Sequence, residues 1–250
     1  MASPRRSARG QTEERSRREE RADRILDAAA ELMLRWGYNK TTIDDIARYA
    51  GVAKGTIYLH WKTREDLFTA LMQREYIRLA EDIKQRVVSD PEGGTLRGIT
   101  KHTMLGTMKS PLTKAIFLRD TDLLGEWLRK EQESPTFSQQ IDQSLALYEL
   151  LRKRGVMRDD IDVHRQLYML DAITIGFLVI DQYMPDDFKY SDEEIAEMAA
   201  EVVDRTFAPP PSTSAQPKEQ AKQETVNSLT SYIDTVLTLR KKQDQEEVSS

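Results

Sequence analysis

Between Lys54 and Lys62 the sequence KGTIYLHWK sets a hydroxyl, a phenol, an imidazole and two ammonium groups around one leucine. Such a set holds anions and base edges rather than breaking bonds. Hydroxyls and cations meet phosphate oxygens, and an apolar side chain can meet a thymine methyl. Bond-breaking chemistry has less to stand on. His60, His102 and His164 are far apart, and no HExxH, GxSxG or phosphate-cradling glycine loop occurs. The chain has no cysteine, so disulfides, thiolate nucleophiles and cysteine-ligated metals are excluded. No enzymatic activity, cofactor or metal is expected, although acid–base work by scattered carboxylates leaves no signature to search for.

These residues need a scaffold. Thr42 to Asp45 is a capping-box pattern opening a helix that stops near Gly51, and a short helix follows over about Ala53–Trp61. Gly51 can take the left-handed backbone of a tight turn, and Ala47 lets two helices cross closely. Ile46, Val52 and Ile57 would form the small core between them. Ile57 and Trp61, one turn apart, share a face that pins the short helix. At 100° per residue Gly55 and Leu59 face away, flanked by Thr56 and Tyr58. Leu59 is odd for solvent and suited to a major groove. Gly55 costs up to about 1 kcal/mol against alanine, and in return permits close backbone approach. Thr42, Tyr58, His60 and Lys62 are the candidate phosphate ligands, with His60 adding charge if protonated; a plain surface histidine is the alternative.

Charge is distributed to match. Residues 1–62 hold 13 Lys/Arg against 9 Asp/Glu, whereas the remainder holds 24 against 33. A basic front on an acidic body points a polyanion at the N-terminal end, unless the arginines are merely clustered in a tail.

Along the chain, residues 1–20 read as a flexible basic arm. A helix begins at Arg21, with Ile25, Ala29, Leu32, Met33 and Trp36 on one stripe and Gly37 as its stop. Thr63 to Asp66 is a second capping box, opening a helix to about Val88. SDPEGG (89–94) breaks the chain. Helices follow over about 95–109, 112–130, 136–154, 162–184 and 191–207, giving roughly nine in all. PPPSTSAQPKEQ begins a linker over 209–224. Over 225–243, Val226, Leu229, Ile233, Val236 and Leu237 make one face of an amphipathic helix, which docks on its own body or serves a partner or dimer arm. Nothing reads as strand, and no run of 18 apolar residues occurs, so no membrane association is expected. MASPRRSARG lacks the pattern of a secretory signal, which makes a cytoplasmic location the default.

GVAKGTIYLHWKTREDLF resembles the signature of TetR-type transcriptional regulators, and RILDAAAELMLRWGYNKTTIDDIA resembles their first two helices. The likeness is close over about residues 21–70; beyond them, to about Phe207, it extends only to helix count and length. The resemblance implies an all-α fold: a three-helix helix-turn-helix DNA-binding domain (21–66) and a larger ligand-binding and dimerisation domain (67–208). It implies a homodimeric repressor released from DNA by a small molecule. Thr41 and Thr42 match the family's contacts at the start of its second helix; Lys54, Gly55, Thr56, Tyr58, His60 and Lys62 match positions on or just after its recognition helix. Ala53 departs from the serine frequent in relatives, and Trp61 from their phenylalanine.

A two-fold dimer would read a palindromic operator with half-sites about 34 Å apart or a multiple of it. Ala172 and Gly176 permit close helix approach, and Ile195, Met198, Val202 and Val203 form a facing stripe, although ordinary packing within the chain would use them equally well. His102, Phe117, Trp127, Tyr148 and Tyr168 mix polar tips with apolar surroundings, as ligand sites do; aromatics at helical spacing also build cores. Met104, Met108 and Met157 would make an adaptable wall. The helix from Thr63 is the expected lever between ligand and head. A competing reading is an activator or adaptor that recruits a partner through the C-terminal helix.

Overall fold

A computed structural model describes residues 4–133, 135–209 and 218–249, which fold into eleven α-helices and three short 3₁₀ turns with no strand among the described residues. Helix α1 (Pro4–Trp36) runs back past Arg21 to Pro4, so the stretch expected as a mobile arm is helical from Pro4. Arg, Glu, Gln and Ala dominate that stretch, and they are strong helix formers. After a 3₁₀ turn (Tyr38–Lys40) come α2 (Ile43–Ala50) and α3 (Lys54–Tyr58), with Gly51 left-handed between them at φ 67°, ψ 35°. Helix α4 (Arg64–Ser89) opens on a complete capping box between Thr63 and Asp66.

Helices α5 (Leu96–Lys109), α6 (Pro111–Leu118), α7 (Thr121–Gln132), α8 (Pro135–Lys153), α9 (Val163–Val179) and α10 (Asp192–Phe207) make the body. The single helix expected over 112–130 is two. Arg119 turns left-handed at φ 51°, and Asp120 caps α7 by accepting the Asp122 and Leu123 N–H groups, each at 3.0 Å. The helix expected to reach residue 184 ends at Val179 and tightens into a 3₁₀ turn over Ile180–Tyr183.

Helix α11 spans Lys218–Ser249, so it begins seven residues before the expected start at 225. Residues 210–217 of the expected linker and the Leu237 side chain lie outside the described residues. Val226, Leu229 and Ile233 are buried in one cluster with Val87 of α4, Tyr148 and Leu151 of α8 and Phe207 of α10. The apolar face of α11 is thus spent on its own body. Lys84 pairs with Asp234 and Lys222 with Glu92 across that contact. A methyl at Gly94 would collide with the Lys222 carbonyl, so the α4–α5 turn admits α11 only because residue 94 has no side chain.

A separate apolar cluster binds head to body. It joins Ile25, Met33, Ile46, Ile57 and Phe68 to Leu112 and Ala115 of α6 and to Leu124 and Trp127 of α7. Arg74 of α4 reaches back to α1, 2.9 Å from the Asp27 carboxylate.

Candidate functional site

The facing predicted from spacing holds, although the helix expected to reach Trp61 ends at Tyr58: Leu59 keeps a right-handed helical backbone, and the Trp61 N–H still donates to the Ile57 carbonyl at 3.0 Å. Ile57 is fully buried and Trp61 only 9 % exposed, while Tyr58 and Leu59 are 45 % and 72 % exposed. A Cβ built at Gly55 meets nothing within 4 Å, which leaves the front of α3 open to an approaching surface. Thr42, Lys54 and Lys62 are exposed and Thr56 is half-buried. The Thr42 hydroxyl caps α2, accepting from the Asp45 N–H at 3.2 Å while it donates to the Asp45 carboxylate at 2.6 Å. Lys54 holds Asp44 at 2.8 Å, and that hydrogen bond raises its already high pKa, so it stays a cation.

Two of the expected roles change. Thr41 is fully buried: its hydroxyl donates to the Gly37 carbonyl at 2.9 Å, and its own carbonyl accepts from Arg64 Nε at 3.0 Å. It holds the turn before α2 and presents no side chain to a partner. The Arg64 guanidinium also lies 3.8 Å over the Tyr38 ring, so the start of α4 is clamped to that turn. His60 is half-buried beside Trp61, and burial, then the Arg18 and Arg21 charges, push its pKa below 6.5. At neutral pH it is an uncharged imidazole. The cation at this place is Arg18, whose guanidinium donates to the Leu59 carbonyl at 3.4 Å. Only the basic composition of the N-terminal stretch hinted at it.

The body encloses a cavity of about 250 Å³ between α4, α5, α6, α8, α9 and α11. Of the residues expected to bind a ligand, Phe117 and Tyr148 line it, as do Met104 and Met157. The others lie elsewhere. His102 pairs with Asp90 at 2.8 Å and braces the α4–α5 turn. Against the upward push of burial, the Glu92 N–H and His102 hold the Asp90 carboxyl below its ordinary value. Trp127 donates to the Thr69 hydroxyl at 3.3 Å within the head-side core. Tyr168 is 79 % exposed on the outer face of α9. Sequence reasoning missed Leu229, Tyr232 and Ile233 of α11, which wall the cavity, and Asp171, its one charged residue. Burial raises the Asp171 carboxyl pKa and pushes the Tyr148 phenol upward as well.

The outer face of α9 carries Tyr168, Ala172, Ile175 and Gly176, all exposed, and Val202 of α10 is exposed too. Ile195 is not on that face. It is buried within the chain, as is Val203, and Met198 is half-buried. Among the described residues one segment, Val163–Tyr183, is long and apolar enough by composition to cross a membrane, although only 11 % of its apolar window is buried. Averaged hydropathy finds it where a search for an unbroken apolar run does not.

Helices α2 and α3 form a helix-turn-helix whose second helix has one anchored and one open face. Residues 25–71 match the profile described as bacterial regulatory proteins, tetR family. Over those residues the chain is similar to TetR-type regulators. It is 34 % identical over 105 residues to the fatty acid metabolism regulator protein of Bacillus subtilis, a match covering 40 % of this chain and 53 % of that one. It is 25 % identical over 160 residues to the transcriptional repressor AcnR of Corynebacterium diphtheriae, covering 63 % and 79 %. The chain thus spans about half the length of the first of these curated relatives. The structure of FadR from Bacillus subtilis with stearoyl-CoA superposes with a TM-score of 0.54 at 21 % identity, covering 72 % of this chain and 96 % of that one. That likeness is one of fold.

Proposed function

We propose that the chain is a homodimeric repressor that holds a palindromic operator through α3 and releases it when a small molecule fills the body cavity. The carrying observation is the exposure of Leu59 and Tyr58 opposite the buried Ile57. Leucine and tyrosine side by side in water, opposite a buried anchor and beside two lysines, favour a partner there, and α3 is sized for a major groove. Thr42, Lys54, Gly55, Thr56, Tyr58 and Lys62 approach phosphates, His60 contributes as a neutral hydrogen-bonding ring, and Leu59 reads a thymine methyl. Tyr168, Ala172, Ile175, Gly176 and Val202 form the dimer contact, which also explains an apolar α9 so poorly covered within one chain. Recruitment of a partner through α11 is disfavoured, because its apolar face is already occupied.

The switch requires an effector that binds better to the dimer with its heads misplaced, since equal affinity shifts nothing. A second lever joins α4. Phe117 on α6 lines the cavity, and α7, just beyond, touches the head: the Asn39 side chain accepts the Glu126 N–H at 3.3 Å and Lys130 meets Glu65 at 3.2 Å. A displaced α6 would carry α7 and the Tyr38–Lys40 turn with it.

Selection from random duplexes with the purified protein should enrich a palindrome, bound with Kd of about 10⁻⁸ M or tighter at physiological salt and weakening steeply as salt rises. Tyr58→Phe should weaken all sequences alike. Leu59→Ala should relax preference at particular A·T pairs by about 1 kcal/mol. If no palindrome is enriched, the reading fails.

A further inference from the structure

The cavity wall has an unusual charge balance. Its polar lining is otherwise neutral, from hydroxyl groups such as those of Thr103, Thr107, Ser144 and Tyr232, and it contains neither lysine, arginine nor histidine. Asp171 is its single ionisable carboxylate, and no ion pair reaches it among the described residues. On α9, Leu170, Thr174 and Leu178 face the cavity, while Asp171 lies at the edge of that face toward exposed Ala172. It therefore stands at the mouth. Asp171 is itself exposed, so its carboxylate is reachable from solvent at that mouth.

We propose that the cavity selects a lipophilic cation, its apolar body enclosed by α4, α5, α8 and α11 and its positive centre held at Asp171. The inference rests on reading the cavity as the effector site. A carboxylate or phosphate at the mouth would meet Asp171 with no base to offset the repulsion, whereas a cation supplies the missing partner. The rings of Tyr76, Phe117 and Tyr148 line the same space and attract positive charge through their faces.

The test titrates the full-length protein calorimetrically with three probes sharing one chain: octyltrimethylammonium, octanol and octanoate. The cation should bind about tenfold tighter than the alcohol, a modest margin because Asp171 is partly hydrated, and octanoate weakest. Asp171→Asn should reduce the cation to the alcohol's affinity without lowering the melting temperature, and Asp171→Glu should keep the preference. A collapsed fold would lower that temperature instead. Should octanoate bind as well as the cation, or the Asn variant keep the cation preference, the cationic class is overturned and the effector cavity stands. If none of the three binds, both are overturned.

Discussion

His60 sits half-buried beside Trp61 just after α3, and its chemistry is visible in stability. Its folded pKa lies below the ordinary 6.5, so between those two values the unfolded chain binds more protons than the folded one. Stability then rises with pH through that window and is lost as pH falls from 6.5 toward the folded pKa. Thermal unfolding should show an acid-side decline that His60→Gln reduces; an identical pH profile in the variant would mean that burial and the two arginines do not act on this ring. Residues on and just after α3 were legible because helical spacing separates Ile57 and Trp61 from Leu59, and the turn after Tyr58 keeps that spacing. Thr41 was not. Adjacent to Thr42 in sequence, it faces inward because Gly37 and Arg64 converge on it, a fact of three-dimensional packing rather than of period.

Among the elements, α11 fits tightly against the turn before α5. Lys222 passes over Gly94 without room for a methyl, and Lys222 also pairs with Glu92. Gly94→Ala must displace backbone, not merely a side-chain tip, and should cost about 1–3 kcal/mol. Faster amide exchange over residues 222–233 with the head unchanged would confirm it; uniform protection would refute it. The sequence predicts α2, α4 and α10 well, because each opens on a side-chain cap, two of them complete capping boxes. It predicts the α6–α7 break poorly. Arg119 adopts a left-handed conformation that arginine does not advertise, and the stop is set by Asp120 capping the next helix. Helix α11 was readable as amphipathic, but its docking site is built from α4 and α8, distant in the chain.

At the scale of the whole molecule, head and cavity are linked through α4 and through α6 and α7, and the cavity is closed by α11. Removing residues 209–250 takes Leu229, Tyr232 and Ile233 from its wall. If a ligand loses roughly 50 Å² of apolar contact at about 25 cal/mol per Å², its affinity falls about tenfold. The truncated protein should therefore melt lower and bind octyltrimethylammonium about tenfold more weakly, while still binding operator DNA through an untouched head. Undiminished binding of the probe would show that α11 is no part of the site. The cavity was the least legible feature, since its lining comes from six helices spread over more than half the chain and no local pattern unites them.

That late wall also has a meaning in time. Translation releases the N-terminal portion first, and the head's own helices are complete by residue 71, where the family match ends. Leu229 to Ile233 follow only after another 150 or so residues have been made, at the ordinary direction of synthesis. On the function proposed above, a nascent chain would possess its DNA-reading surface well before it possesses an enclosed chamber, and responsiveness would be the last property the polypeptide acquires.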